Sequence, residues 1–197
     1  MALNCEEKLT ADIQKDCDNK PKGGIEVNAV FINFDDIDKA TSTLDGTNDL
    51  IITNLATLTG TSGFNIEGIK QVNGASFELV KKEESFDAYK HMFSGVILAP
   101  SAENKKRLDE IASGGRYVVV VEKKWKGADQ EDAFEVLGWD VGMVISEVVW
   151  NTKEADGTIK FSVASEDGFE ESSMSRNNLE TDYATTKTAF DAKYATA

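Results

Sequence analysis

Hydrophobic and polar residues alternate with a period of two through most of this chain, and that pattern predicts strands. Over 25–33, Ile25, Val27, Ala29 and Phe31 share one side, with Glu26 and Asn28 on the other. Further strands are predicted over 50–55, 64–72 and 75–81, the last alternating through Ala75, Phe77 and Leu79. Asn73-Gly74 reads as a hairpin turn before it. Residues 133–139 and 141–150 supply two more strands, and 158–163 alternates through Ile159, Phe161 and Val163. Asp156-Gly157 is a favoured hairpin pair, so its flanking strands are expected to run antiparallel. Residues 86–98 fit both periods. Phe86, Tyr89, Met92 and Phe93 lie on a helical face, whereas 95–98 reads as a strand, and the β-rich surroundings favour a strand.

The segment 101–125 departs from the alternation and organises the rest. Ser101, after Pro100, can cap a helix over about 101–113. Glu103 suits the positive end of its dipole, and Leu108, Ile111 and Ala112 make a narrow apolar face. Gly114-Gly115 ends it. The run 117–121, Tyr-Val-Val-Val-Val, is apolar throughout and predicts a strand buried on both faces. The expected fold is mainly β: a sandwich or barrel with one packed α-helix and extended terminal arms.

Residues 1–24 form an N-terminal arm with a weak helical tendency at Leu9 and Ile13, closed by a Lys-Pro-Lys-Gly-Gly linker. The β-rich domain spans 25–171. Within it, 34–49 reads as a long polar loop, the kind that is usually functional or ordered on binding. Residues 172–197 form a C-terminal arm in which Phe190 and Tyr194 are four apart, as in a short helix or an ordered arm that packs on something.

Charge narrows the function. The chain of 197 residues carries 35 acids against 21 Lys and Arg, a formal net charge of −14. Such a surface argues against gripping nucleic acid or an anionic membrane. No apolar run approaches a membrane span, and the acidic N-terminus is not read as a signal peptide. Cys5 and Cys17 are read as two reduced thiols, with a short disulfide loop as the alternative.

The search for chemistry finds no catalytic, cofactor-binding or metal-binding residues to assign. His91 is the only histidine and is expected to be an ordinary, partly buried side chain. Asp35, Asp36 and Asp38, with Asp45 and Asp49, lack calcium-loop spacing and read as turn caps. Asp16 and Asp18 precede Lys20-Pro21, which breaks any such pattern. Gly60 to Gly63 lacks the lysine of a phosphate loop. The Glu pairs at 83–84 and 170–171 read as solvated charge rather than an acid–base couple. Lys123, Lys124 and Lys126 surround Trp125 and are expected to pair with acids in the fold or on another copy. Trp139 and Trp150 read as core or interface anchors.

One helix bounded by Ser101 and Gly114-Gly115, a buried strand 117–121, and a hairpin finish ending in Phe161-Ser-Val-Ala-Ser-Glu-Asp-Gly-Phe-Glu-Glu171 together resemble the tail tube proteins of long-tailed phages, over 25–171. The resemblance implies a non-enzymatic virion component. Copies would join into rings, commonly hexameric, that stack into a tail tube, an acidic conduit through which DNA passes without specific binding. It implies other tail proteins as partners, no cofactor and no membrane anchor, and assembly in the host cytoplasm. The alternatives are another virion part (head decoration, connector or tail terminator) or a carbohydrate-binding β-sandwich using Trp125, Trp139 and Trp150.

Overall fold

The computed structural model describes residues 9–68, 72–153 and 157–195. Among the described residues, eleven strands form two sheets, with two α-helices. In chain order they are β1 (Ile25–Asn33), β2 (Thr43–Leu44), β3 (Ile51–Asn54), β4 (Phe64–Glu67), β5 (Gly74–Val80), β6 (Ala88–Ile97), α1 (Ala102–Ala112), β7 (Tyr117–Lys123), β8 (Phe134–Leu137), β9 (Val144–Trp150), β10 (Ile159–Ala164), β11 (Arg176–Asn178) and α2 (Tyr183–Asp191). The larger sheet has the order β2-β3-β11-β8-β7-β1-β4, and the smaller β5-β6-β10-β9. All pairs are antiparallel except β11 with β3.

The apolar run of β7 does what its composition demands. Val119 and Val121 point into a core shared with the smaller sheet, alongside Phe31, Phe93, Phe161 and Val163. Val118 and Val120 point the other way, into a second core with Val30, Ile32, Ile52, Phe134 and Phe190. The larger sheet is thus the middle of three layers. The smaller sheet covers one face, and α2 with the 34–61 segment covers the other.

The expected helix forms as α1. The Ser101 side chain accepts from Asn104 N at 3.2 Å, and Gly114 takes φ +103°, which glycine adopts at little cost. Leu108 is its one buried residue and joins the inter-sheet core. Residues 86–98 are a strand, as the surroundings favoured. The strands flanking Asp156-Gly157 pair antiparallel, Trp150 opposite Ile159, although 154–156 lie outside the described residues. Of the strand expected over 64–72, Phe64–Glu67 is observed and 69–71 lie outside the described residues.

Four expectations are corrected. Asn73-Gly74 does not turn a hairpin, because β4 and β5 belong to different sheets and this segment carries the chain between layers. The loop over 34–49 is not uniformly irregular: β2 forms in it, and Ile37 bridges Thr57. The boundary at 171 also fails, since β11 lies inside the larger sheet between β3 and β8. The tail over 172–195 is therefore part of the domain. Phe190 packs on Phe134 with centroids 5.2 Å apart. The Tyr194 hydroxyl donates to Asn178 Oδ1 at 2.9 Å, and its carbonyl accepts from Thr57 Oγ1 at 2.6 Å. At the other terminus, residues 9–24 carry neither helix nor strand, so the turn suggested by Leu9 and Ile13 does not form.

If α2 closes the second core, Phe190→Ala should cost about 3–5 kcal/mol in urea unfolding, whereas Ile13→Ala, 91% exposed, should cost nothing measurable. Equal, negligible losses would mean that the tail is a loosely attached arm.

Candidate functional site

The densest group of buried ionisable side chains surrounds the turn between β8 and β9, residues 138–142. Gly138 and Gly142 both take positive φ. A Cβ on Gly138 would sit 2.8 Å from the Tyr117 carbonyl oxygen, so the turn is drawn tight against β7. Its backbone N–H groups are claimed by side chains from elsewhere. Gly138 N donates to His91 Nδ1 at 3.1 Å. The Glu171 carboxylate accepts from Asp140 N at 2.6 Å and Val141 N at 3.1 Å. Asp140 then accepts from Arg176 Nη1 at 3.0 Å, and Arg176 Nε donates to the Asp49 carbonyl at 3.0 Å. The Lys39 ammonium donates to the Trp139 carbonyl and lies 3.2 Å from the indole centroid.

Position follows from pairing. His91 sits on the inner face of β6, and its Nε2–H donates to the Ser173 carbonyl at 3.1 Å. Glu171 is held by a two-way backbone bridge to Tyr89. Neighbouring side chains in extended chain point to opposite sides, so Glu170 turns to Lys82 at 2.7 Å, its side chain 7% exposed, while Glu171 is fully buried, and the pair is not the solvated charge expected. The two carboxylates diverge and cannot share a substrate.

Burial sets the electrostatics. Loss of water pushes His91 down to about 4, against the pull of the Ser173 carbonyl and Asp140. Desolvation raises Glu171, opposed by the two N–H donors. Lys39 is lowered to about 8 by partial burial of its ammonium, with Asp140 and Glu171 opposing, although its side chain as a whole stays exposed. Lys39 and Arg176 balance Asp140 and Glu171 in formal charge: Arg176 pairs with Asp140, whereas Lys39 and Glu171 are held by backbone groups. Both His91 nitrogens are occupied, and neither described cavity is lined by His91, Lys39 or Glu171. The geometry suits a clamp that joins β6, the 138–142 turn and the segment entering β11. Its polar groups are engaged with one another rather than turned into either cavity.

The sequence indicated His91 but not its partners. Two signals were present: a glycine at each end of Gly-Trp-Asp-Val-Gly, and Arg176 alone among acids. The remaining candidates disperse. Asp38 Oδ1 accepts from Ala40 N and Thr41 N, Asp45 Oδ1 from Thr47 N and Asn48 N, and Asp16 Oδ1 from Asp18 N and Asn19 N. Each therefore closes a turn of its own. Asp36 accepts from Asn33, and Asp49 meets the clamp through its backbone carbonyl, which accepts from Arg176. Among the described residues, no three acid, His or Cys side chains gather as a metal would require. Gly60 to Gly63 is a turn with Gly63 N bonded to the Lys193 carbonyl. Glu83 and Glu84 are exposed. Lys123 pairs with Glu135 at 2.5 Å and Lys126 pairs with Glu122, both inside the fold. Trp125 Nε1 donates to the Asn19 carbonyl at 3.0 Å and fastens the N-terminal segment. Trp139 is buried, and Trp150 lies on β9 under Lys105. The three indoles occupy three separate places and make no common platform. Cys17 is exposed, and Cys5 lies outside the described residues.

The other unusual surface is the smaller sheet. Among the described residues, β5 and β9 each pair on one side only. These open edges carry large apolar side chains in the open: Phe77 and Leu79 on β5 are 44% and 49% exposed, and Val148, Val149 and Trp150 on β9 are 47%, 44% and 52% exposed.

Because His91 holds no proton on Nδ1 in the folded state, acid should favour the unfolded chain. Its folded value of about 4 lies below the ordinary 6.5. The unfolded state thus binds more protons between those values, and stability falls as pH falls through that window, by on the order of 2–3 kcal/mol. The raised Glu171 works in the opposite sense and softens the slope. His91→Gln should flatten the change in urea midpoint across the window. An unchanged slope in the variant would place the acid sensitivity elsewhere.

Compared with known proteins, the chain matches no family model, no curated protein and no solved structure.

Proposed function

We propose that this chain is a self-assembling structural subunit of the tail tube type, joined to its neighbours through the edges of the four-stranded sheet. The observation that carries the reading is the pair of long, apolar, unpaired edges. Natural monomers blunt exposed edges with short strands, charge or proline. The larger sheet follows that rule, with a two-residue β2 and a four-residue β4 at its rims. The smaller sheet breaks it on both sides with seven-residue strands.

The strand directions favour ring closure. The order β5-β6-β10-β9 is antiparallel throughout, so β5 and β9 run in opposite directions. A copy placed beside another by simple rotation about a ring axis sets its β9 antiparallel to the neighbour's β5. The alternation continues, and a closed ring leaves no edge. Among the described residues, the clamp around 138–142 is filled by its own hydrogen-bond partners and leaves both edges uncovered.

The face of this sheet turned away from the core would line the conduit. Its strands place Glu78 and Glu147 there against Lys90 and Lys160, an even balance. Acid gathers instead at one end of the sheet, where Glu83, Glu84, Asp87, Glu166 and Asp167 outnumber Lys81 and Lys82. A near-neutral wall with an acidic rim gives DNA no net attraction to overcome.

Light scattering after size exclusion, with negative-stain microscopy of the same fractions, should show hollow rings or tubes. Phe77→Lys or Val149→Lys, each at an exposed edge, should leave a folded monomer. A wild-type chain that stays monomeric at high concentration and over long incubation would sink the reading, and would shift weight to a decoration or binding role.

A further inference from the structure

Resting on that reading, we infer the register in which two copies meet: β9 of one copy lies antiparallel to β5 of the next, displaced by four residues along the strands. Ala75 pairs with Phe93, Phe93 with Val163, and Val163 with Ile145, so these four residues form one row across the sheet. β5 extends mainly to one side of the row, through Ser76 to Val80. β9 extends mainly to the other, through Glu147 to Trp150. The sheet is therefore sheared within one copy, and a neighbour meeting it without displacement would overlap little of either strand.

Only even displacements keep core-facing residues on the core side, because a slip of one residue inverts both faces. At a displacement of four, counted along the printed pairings, Trp150 of the neighbouring copy lies opposite Ala75, Val148 opposite Phe77, Ile145 opposite Leu79 and Val144 opposite Val80. The full length of β5 is then used, and each exposed inner residue of β5 gains an apolar neighbour. At two, Leu79 and Val80 stay bare. A cavity of about 640 Å³ also opens beside β5, floored by Ile25, Ala75, Val121 and Leu137. The displacement of four brings the neighbour's Trp150 to its mouth.

Closure gives the same answer. A shear of four residues for every four strands corresponds to a strand tilt of about 35°, from the ordinary rise and strand spacing. That lies at the lower end of the tilts of closed barrels.

The register has one unfavourable contact. Glu147 of the neighbour falls opposite Glu78 on the outer face, and like charges directly opposed weaken a sheet. Glu147→Lys should therefore lower the protein concentration needed for assembly by about two- to fivefold.

The deciding experiment uses the full chain with Cys5 and Cys17 changed to Ser. Protein carrying Ser76→Cys is mixed with protein carrying Val149→Cys, allowed to assemble, and oxidised. A covalent heterodimer is expected from this mixture and not from Ser76→Cys with Glu147→Cys, the pair opposed at a displacement of two. Cross-linking by the second pair alone would overturn the register but keep the β5–β9 contact. Rings seen by microscopy with neither cross-link would place the interface elsewhere and overturn it as well. Absence of both rings and cross-links, in wild-type protein too, would instead bring down the assembly reading itself.

Discussion

The burial of β7 on both faces governs the architecture. Four successive valines cannot be satisfied by a two-layer sandwich, since alternate side chains would meet water. Val119 and Val121 need the smaller sheet, whereas Val118 and Val120 need a second cover. Each fully buried valine contributes about 1.5–3 kcal/mol relative to exposure, so neither cover is dispensable. This explains why the tail is drawn back across the molecule. α2 supplies Phe190, and the turn after it supplies Tyr194, to close the core that β7 opens.

Once the larger sheet is covered on both sides, the smaller sheet is left with one covered face and two open edges. Its fully buried apolar residues, Phe93, Ile159, Phe161 and Val163, lie along the middle, on β6 and β10, while Ala75 on β5 and Ile145 on β9 are only partly buried. Towards β5 it overhangs, and Phe77 and Leu79 face inward with too little beneath them. The same holds at Val148 and Trp150 on β9. Among the described residues, unpaired edge groups and half-covered side chains coincide at the same two places, and in the proposed assembly a second copy of the chain would satisfy both together.

Elements dominated by local chemistry were legible in the sequence. α1 follows from Ser101 and Gly114, β7 from its valines, and β10 from clean alternation. β11 was not legible, because Arg-Asn-Asn has no strand signature. Its conformation is fixed by tertiary contacts: Asn178 Nδ2 donates to the Ile52 carbonyl and Asn177 Nδ2 to Asp132. Asn73-Gly74 misled for a related reason. A turn signal fixes local geometry, and the partner of the strand that follows is chosen by packing. The clamp was half legible. A lone buried histidine invites notice, yet its partners come from positions 39, 138–141, 171, 173 and 176, and no local pattern links them.

The clamp and the open edges are connected through the strand they share. β9 begins where the 138–142 turn ends, and Met143 bridges Tyr117 in the larger sheet before β9 joins the smaller one. The turn is thus the hinge between layers, and the bonds from His91, Glu171 and Arg176 fix the angle at which β9 leaves it. An interface built from β9 on β5 requires that angle to be the same in every copy, because a ring closes only when each step repeats. A loosely held turn would spread the angle and favour irregular polymers. Buried, mutually satisfied polar groups cost desolvation, but they tolerate few alternative geometries. That trade would make physical sense in the proposed subunit, whose edge strand would have to be presented in one orientation. It also accounts for a cluster of charges whose polar groups are engaged with one another.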